Sequence, residues 1–379
     1  MDDLRTRLGN RIRTARTALG LTQQQLSENA GLPAPQVVSQ IEKGEREVKA
    51  WELVNLARAL RIDIGHLLAV EEPAARPAVL WREEPRENRA VLEAEFLQAC
   101  EHYALVERLC GRCGESDLPS WPSNTERMGY RQATRMAERA RQQFDLGSRP
   151  ARALLGVLED RYSVKVWHRS LGDEGSAACS RGDLGAVVLL NADEVPWRRN
   201  FSLAHELFHL LTWVRPTEGE VPAGGTATGA RTEKCAGAFA SALLLPEESI
   251  RKAWSRRTEA GAMREVDVVE MAREYDVSTD ALLYRLQNLG ILPEAVAEAL
   301  RASEAFRRLD RSTRPAAWAQ PAYPPERYVR LAFTAYQKGS LSRARLAELL
   351  EVSIADLNAK LQEYGLDERQ DLAAELRTA

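Results

Sequence analysis

His205, Glu206 and His209 stand within NFSLAHELFHLLTW, residues 200–213. On a helix, residues 205 and 209 project from one side a turn apart, so both imidazoles can reach one ion at ~2.0–2.1 Å. Glu206 then sits about a quarter turn round. There its carboxylate meets a water at the ion, not the ion itself, and can act as general base and proton carrier. Phe201, Leu203, Leu207, Leu210 and Leu211 make the other side apolar, and a dry wall strengthens electrostatics at the site. The competing account is a buried amphipathic helix whose histidines bond backbone carbonyls.

Zinc catalysis takes a third protein ligand and leaves one position for water. In EKCAGAFASALLLP, Ala236, Phe239, Ala240, Leu243 and Leu244 form a core-facing stripe, with Glu233 on that side at its N-terminal edge. A carboxylate aimed at a core is costly without a positive partner, and Zn2+ would be that partner. Glu233 is 24 residues past His209, room for one hairpin-like connection. Two strand-like runs, SVKVWH (163–168) and GAVVLLNAD (185–193), precede the histidine helix. A small sheet beside that helix would wall a cleft.

These elements sit in a chain of 379 residues, 44% hydrophobic and 28% charged, enough for two or three domains with real cores. With 52 basic against 55 acidic residues the net charge is -3, so any DNA contact must come from a local face. No apolar run approaches ~20 residues and no basic-then-apolar leader stands at the N-terminus, which predicts a cytoplasmic protein without membrane association. Five cysteines, an odd number without a dense framework, fit thiols better than disulfides. Cys100, His102, Cys110 and Cys113 could make a second zinc site. Cys100 and Cys110 fall on the apolar stripe of a helix, however, and buried thiols are the reading kept.

The first seventy residues read as short helices broken by Gly and Pro, with Thr22 and Gln25 placed as a capping box and Gly31 ending the second helix. A proline-rich linker and a long helix, NRAVLEAEFLQACEHYALVERLCG, follow. Two helices starting near Tyr130 and Pro150 lead into the strands. Beyond residue 250 the chain repeats itself: residues 266–290 align without gaps on 341–365, and Val277-Ser278 matches Val352-Ser353. Each half reads as helix, tight turn, helix. Asp280 and Asp356 near the second helices would repel phosphate, so these echoes are expected to pack on the protein or bind protein.

HELFHLL, followed by Glu233, Ala236, Phe239, Ala240, Leu243, Leu244 and Pro246 in the order E-x-x-A-x-x-F-A-x-x-L-L-x-P, resembles the ImmA/IrrE family of zinc-dependent endopeptidases. The resemblance extends over roughly residues 130–290 and includes LLNAD and RRNFSLAHE. It implies a zincin-like fold with His205, His209 and Glu233 as zinc ligands and Glu206 as the catalytic residue. Members of that family include enzymes that cleave repressor proteins and so relieve transcription. Gly237 departs from the pattern: related sequences often carry Asn or Asp there, a residue that could orient a ligand histidine.

LGLTQQQLSENAGLPAPQVVSQIEKGEREVKAWELVNLARAL resembles the helix-turn-helix module of the Cro and lambda-repressor (XRE) class. Gln23, Gln36, Ser39 and Gln40 are its candidate phosphate or base contacts, with Lys43 and Arg46 holding the DNA backbone. The stretch from Gly31 to Gly44 is one residue longer than the common spacing, and Pro33 and Pro35 stiffen the start of the third helix.

The expected fold is mainly α with an α+β zincin-like domain. Residues 1–70 form a five-helix DNA-binding domain, 71–125 a linker and long helix, 126–295 the zinc peptidase domain with a small sheet, and 296–379 a C-terminal helical domain. The expected function is transcription regulation with zinc-dependent endopeptidase activity. Its partners would be operator DNA and a protein substrate, a transcriptional repressor, and a homodimer would fit the helix-turn-helix class. The alternative is a DNA-binding regulator whose zinc fold senses a partner with little proteolysis. Tyr284 and His168 are candidates for stabilising the oxyanion.

Overall fold

A computed structural model describes residues 2–69, 77–83, 85, 88–112, 116–121, 123–173, 175–214, 229–259, 261–313 and 320–368. The chain divides into two compact units, Met1–Pro77 with Glu84–Tyr103, and Ala78–Glu83 with Ala104–Ala379. Part of the expected linker (71–76), Cys113 and the connection 215–228 between the two site helices lie outside the described residues.

The first unit holds α1 (Asp2–Ala18), α2 (Gln23–Asn29), α3 (Pro35–Glu42), α4 (Ala50–Ala59), α5 (Ile64–Leu68) and the part of α6 (Arg89–Leu109) up to Tyr103. Five helices thus fill the first seventy residues, as expected. The capping box forms: Gln25 N–H donates to Thr22 Oγ1 at 3.1 Å, and Thr22 N–H donates to Gln25 Oε1 at 2.8 Å. Ile12, Leu26, Val38, Ile41, Leu56 and Leu60 form the buried core. Gly9 lets α1 lie against the end of α3, because a Cβ there would stand 2.3 Å from the Ile41 carbonyl oxygen. Arg16 donates to Glu42 at 2.6 Å and to the Leu21 carbonyl at 2.6 Å, tying α1 to α3 through a nearly buried carboxylate.

The second unit contains β1 (Leu80–Trp81), a 3-10 turn (Thr125–Arg127), α7 (Tyr130–Gln143), α8 (Pro150–Tyr162), β2 (Lys165–Arg169), β3 (Ala177–Gly182), β4 (Gly185–Asn191), α9 (Pro196–Thr212) and α10 (Ala230–Leu244). Helices α11 (Glu247–Glu259), α12 (Glu265–Glu274), α13 (Thr279–Asn288), α14 (Glu294–Ala302), α15 (Glu304–Ser312), α16 (Glu326–Gln337), α17 (Arg343–Leu349) and α18 (Leu357–Glu363) follow. The sheet order is β1-β3-β4-β2, with β2 parallel to β4 and the other pairs antiparallel. The two expected strands are β2 and β4. The other two were not expected: β3, AACSRG, has no β-branched residue, and β1 falls inside the expected linker. β3 forms because a two-residue turn folds it back on β4 with Gly182 opposite Gly185.

Helix α9 is buried from Ser202 to Thr212 on every side, so it is a core helix rather than an amphipathic surface one. Leu207 and Phe208 pack with Val188 of the sheet and with Phe239 and Leu243 of α10. The first echo, α12–α13, belongs to this same core through Val268, Val269, Leu282, Leu283 and Leu286. The second is α17–α18. Each makes its tight turn with a left-handed residue at the matching place, Asp276 (φ 53) and Glu351 (φ 58). Glu107 at the end of α6 pairs in the interior with Lys165 at 2.9 Å and Arg327 at 2.7 Å, linking β2 and α16. Among the described residues no helix is long and apolar enough to cross a membrane.

Candidate metal centre

Pro196 opens α9 at its first turn, behind Val195 in extended conformation, where a missing N–H costs nothing and the ring pre-sets φ. Arg199 fastens that start by donating to the carbonyls of Ala192 (2.9 Å) and Glu194 (2.6 Å). At the far end Arg181 of β3 donates to the Leu210 carbonyl at 2.6 Å, satisfying an acceptor that helix termini leave open. Sheet and helix are thereby locked at both ends of the segment that carries His205 and His209.

Glu233 lies in the first turn of α10. Thr232, next to it, hydrogen-bonds Thr125 Oγ1 at 2.9 Å and Glu126 Oε1 at 3.0 Å, and Arg231 donates to the Met128 carbonyl at 2.9 Å. The 3-10 turn thus fixes the first turn of α10. Nothing in the sequence of that turn announces the role, because its partners lie more than a hundred residues away.

The geometry brings three donors together. His205 Nε2 lies 2.9 Å from Glu233 Oε2, and His209 Nε2 lies 3.3 Å from Glu233 Oε1. The two Nε2 atoms are 3.3 Å apart, and all three ligand atoms fall within 4.8 Å of one another. Two imidazole nitrogens and a carboxylate pointed at one locus suit a borderline cation, and two His with one Glu is a donor set that zinc accepts with a position left open. The residues therefore fit the ion that the sequence implies. His205 Nδ1 is buried with no hydrogen-bond partner among the described residues. A side chain at Gly237 would meet nothing within 4 Å, so the space for the orienting residue of related sequences is open.

Glu206 is 1% exposed, and among the described residues no nitrogen or hydroxyl donor reaches its carboxylate, only the Cys179 thiol of β3. A buried carboxylate met only by a weak thiol donor is costly, which distinguishes it from Glu233. Cys179 on β3, not singled out by the sequence, is fully buried, and burial, then the charge of Glu206 and a hydrogen bond with it, pushes its thiol well above the usual range. Phe201, expected on the buried back of the helix, is half-buried and lines a cleft one turn before His205. Tyr284 of α13 lines the same cleft and is 60% exposed. His168 sits on β2, where burial first and the Arg199 charge second bring its pKa down to about 4.

In the first unit, Gln36 and Gln40 on α3 and Lys43 at its end are exposed, and Ser39 is half-buried. Gln23 donates to Glu42 at 2.8 Å. Arg46 forms a two-point ion pair with the buried Glu52, at 2.9 and 3.2 Å. Arg46, with Glu52 accepting the Lys49 N–H at 3.0 Å, braces the start of α4.

Residues 159–287, which contain His205, Glu206, His209 and Glu233, match the family described as the IrrE N-terminal-like domain. Residues 12–67 match a helix-turn-helix family. No curated protein matches the chain. Among solved structures, the crystal structure of Bacillus thuringiensis PlcR in complex with the peptide PapR7 and DNA is similar at 14% identity over 95% of this chain and 93% of that one. Its TM-score is 0.17, too low for the likeness to carry weight. The two domain matches together support a transcription regulator with a peptidase-like domain.

Proposed function

Because the chain carries an IrrE N-terminal-like domain behind a helix-turn-helix domain, we propose that it is a cytoplasmic, DNA-binding regulator whose second unit is a zinc-dependent endopeptidase acting on a regulatory protein. The observation that carries this is the pairing of a three-donor cluster with a buried carboxylate, one residue from its first ligand, that only a thiol reaches. His205, His209 and Glu233 would hold Zn2+. A bound zinc ion supplies Lewis acidity, polarising a peptide carbonyl and making water acidic near neutral pH. The Glu206 carboxylate accepts the proton of the attacking water and delivers it to the departing amine, which leaves the carboxylate as it began. The apolar packing of Leu207, Phe208 and Phe239 behind the cluster excludes bulk water and so strengthens that exchange. A purely sensory zinc fold would leave Glu206 buried without a task.

The first unit would present α3 to the major groove, with Gln23, Gln36, Ser39 and Gln40 at base edges or phosphates, and Lys43 and Arg46 at the DNA backbone. A helix-turn-helix repressor is the candidate protein substrate, and a homodimer on paired half-sites is the candidate assembly. The test is cleavage of helix-turn-helix repressors, or of the chain's own 70–125 segment, by zinc-loaded protein with and without chelator, beside a gel shift on the DNA upstream of its reading frame. Chelator-sensitive cleavage and salt-sensitive DNA binding support the reading. Cleavage indifferent to chelator would refute it.

A further inference from the structure

A cleft of about 1470 Å³ runs along α7, α9, α10 and α13. Phe201, one turn before His205, and Lys234 and Gly237, next to Glu233 and one turn beyond it, are among its lining residues. The cleft is thus lined by the same two helices that carry the donor cluster, at positions within a turn of its ligands. Drug-sized ligands occupy roughly 300–1,000 Å³, so this space suits a length of polymer. At Gly237 it comes up against bare α10 backbone, where an added Cβ would meet nothing within 4 Å.

Its charge is opposite to that of the whole molecule. Six cationic side chains line it against two anionic ones, Glu247 and Asp280, although the chain's net charge is -3. Three of the cations have structural tasks: Arg82 donates to Ser202 at 2.8 Å, Arg198 pairs with Glu194 at 2.8 Å, and Arg285 donates to the Leu245 carbonyl at 2.9 Å. The other three, Arg131 and Arg135 a turn apart on α7 and Lys234 on α10, are exposed and have no hydrogen bond or ion pair among the described residues. Tyr130 beside them is 58% exposed. Long cations held near one another and left unpaired repel, a cost that an anionic partner removes.

We infer that this cleft receives the polypeptide substrate and selects a segment bearing acidic side chains, held by Arg131, Arg135 and Lys234 beside the reacting bond. The inference rests on the peptidase reading. Glu247 and Asp280 on the cleft's lining disfavour a continuous phosphate backbone, while spaced carboxylates on a peptide can avoid them. Tyr130 and Phe201 offer apolar surface to the intervening residues.

The test is fluorescence anisotropy on the zinc-loaded full chain with two pools of labelled peptides, identical except that Glu and Asp in one are Gln and Asn in the other. Tighter binding of the acidic pool is expected, on the order of tenfold for three exposed charge pairs, and the preference should weaken with added salt. Replacing Arg131, Arg135 and Lys234 together with Gln is expected to abolish the preference while zinc content, circular dichroism and binding of the neutral pool stay unchanged. Equal binding of the two pools would overturn the inference, as would a preference that survives the triple substitution. So would a single-stranded oligonucleotide that displaces the acidic pool from wild type more effectively than unlabelled acidic peptide does. Acidic preference without cleavage would remove the peptidase reading alone, and cleavage without acidic preference would remove this inference alone.

Discussion

His205 Nε2 and Glu233 Oε2 stand 2.9 Å apart although 28 residues and a change of helix separate them. Nothing in the core demands that contact, since both helices have apolar faces to bury. The proposed shared cation accounts for it. Zinc should therefore stabilise wild type, by the ~2.7 kcal/mol that a ligand near 100-fold its Kd contributes, and raise its melting temperature accordingly. In Glu233→Ala the shift should vanish and bound zinc should fall, by more than the roughly 10–100-fold typical of losing a bond behind a ligand. Mass-spectrometric metal analysis and calorimetry measure both.

Thr232 positions Glu233, the proposed third ligand, through bonds made away from the donor cluster. Its hydroxyl is buried and bonds Thr125 and Glu126. Thr232→Val keeps the shape and removes those bonds, so zinc affinity should drop several-fold while the circular dichroism spectrum is retained. Unchanged zinc affinity would show that the 3-10 turn is not what fixes Glu233.

Glu159 gives a pH dependence with a definite sign. Burial pushes its carboxyl from 4.5 up to about 7, so between those values the folded protein holds a proton that the unfolded chain has released. Stability is lost as pH rises through that window. Glu159→Gln should melt higher than wild type above pH 7, and the difference should close below pH 4.5. His168, lowered from 6.5 to about 4, acts in the opposite sense, its contribution lost as pH falls through that range. Melting curves of the Glu159→Gln protein across pH separate the two.

Gly9→Ala sets two effects against each other. Alanine improves an α-helix by about 0.5–1 kcal/mol over glycine, but here the new Cβ would stand 2.3 Å from the Ile41 carbonyl and 2.8 Å from that of Glu42. Backbone cannot rotate away, and overpacking of this kind costs roughly 1–3 kcal/mol. The substitution should destabilise the first unit and weaken DNA retention in a gel shift, with zinc content unchanged.

How far the sequence reached depends on whether a feature is local. His205 and His209 were legible because four-residue spacing on a helix determines their side, and Glu233 because an apolar stripe placed it. The capping box at Thr22 was legible for the same reason. β3 was not, because AACSRG becomes a strand through pairing with β4 rather than through its own propensities. Arg181 and Cys179 act on α9 from that unforeseen strand. The basic cleft arises only where α7 meets α10, from cations more than a hundred residues apart along the chain. Gln23 and Arg46 read as candidate DNA contacts from position alone, and their bonds to Glu42 and Glu52 depend on packing that position does not reveal.

The most direct test concerns Glu206. Zinc-loaded wild type and Glu206→Gln, matched in metal content, should be incubated with candidate helix-turn-helix repressors and a complex peptide mixture, and the products sequenced by mass spectrometry. Cleavage by wild type, with a loss of at least about a hundredfold in the variant as removal of a general base predicts, is the expected result. Equal cleavage by the two proteins, or none by zinc-loaded wild type, would contradict the proposed role of the buried carboxylate.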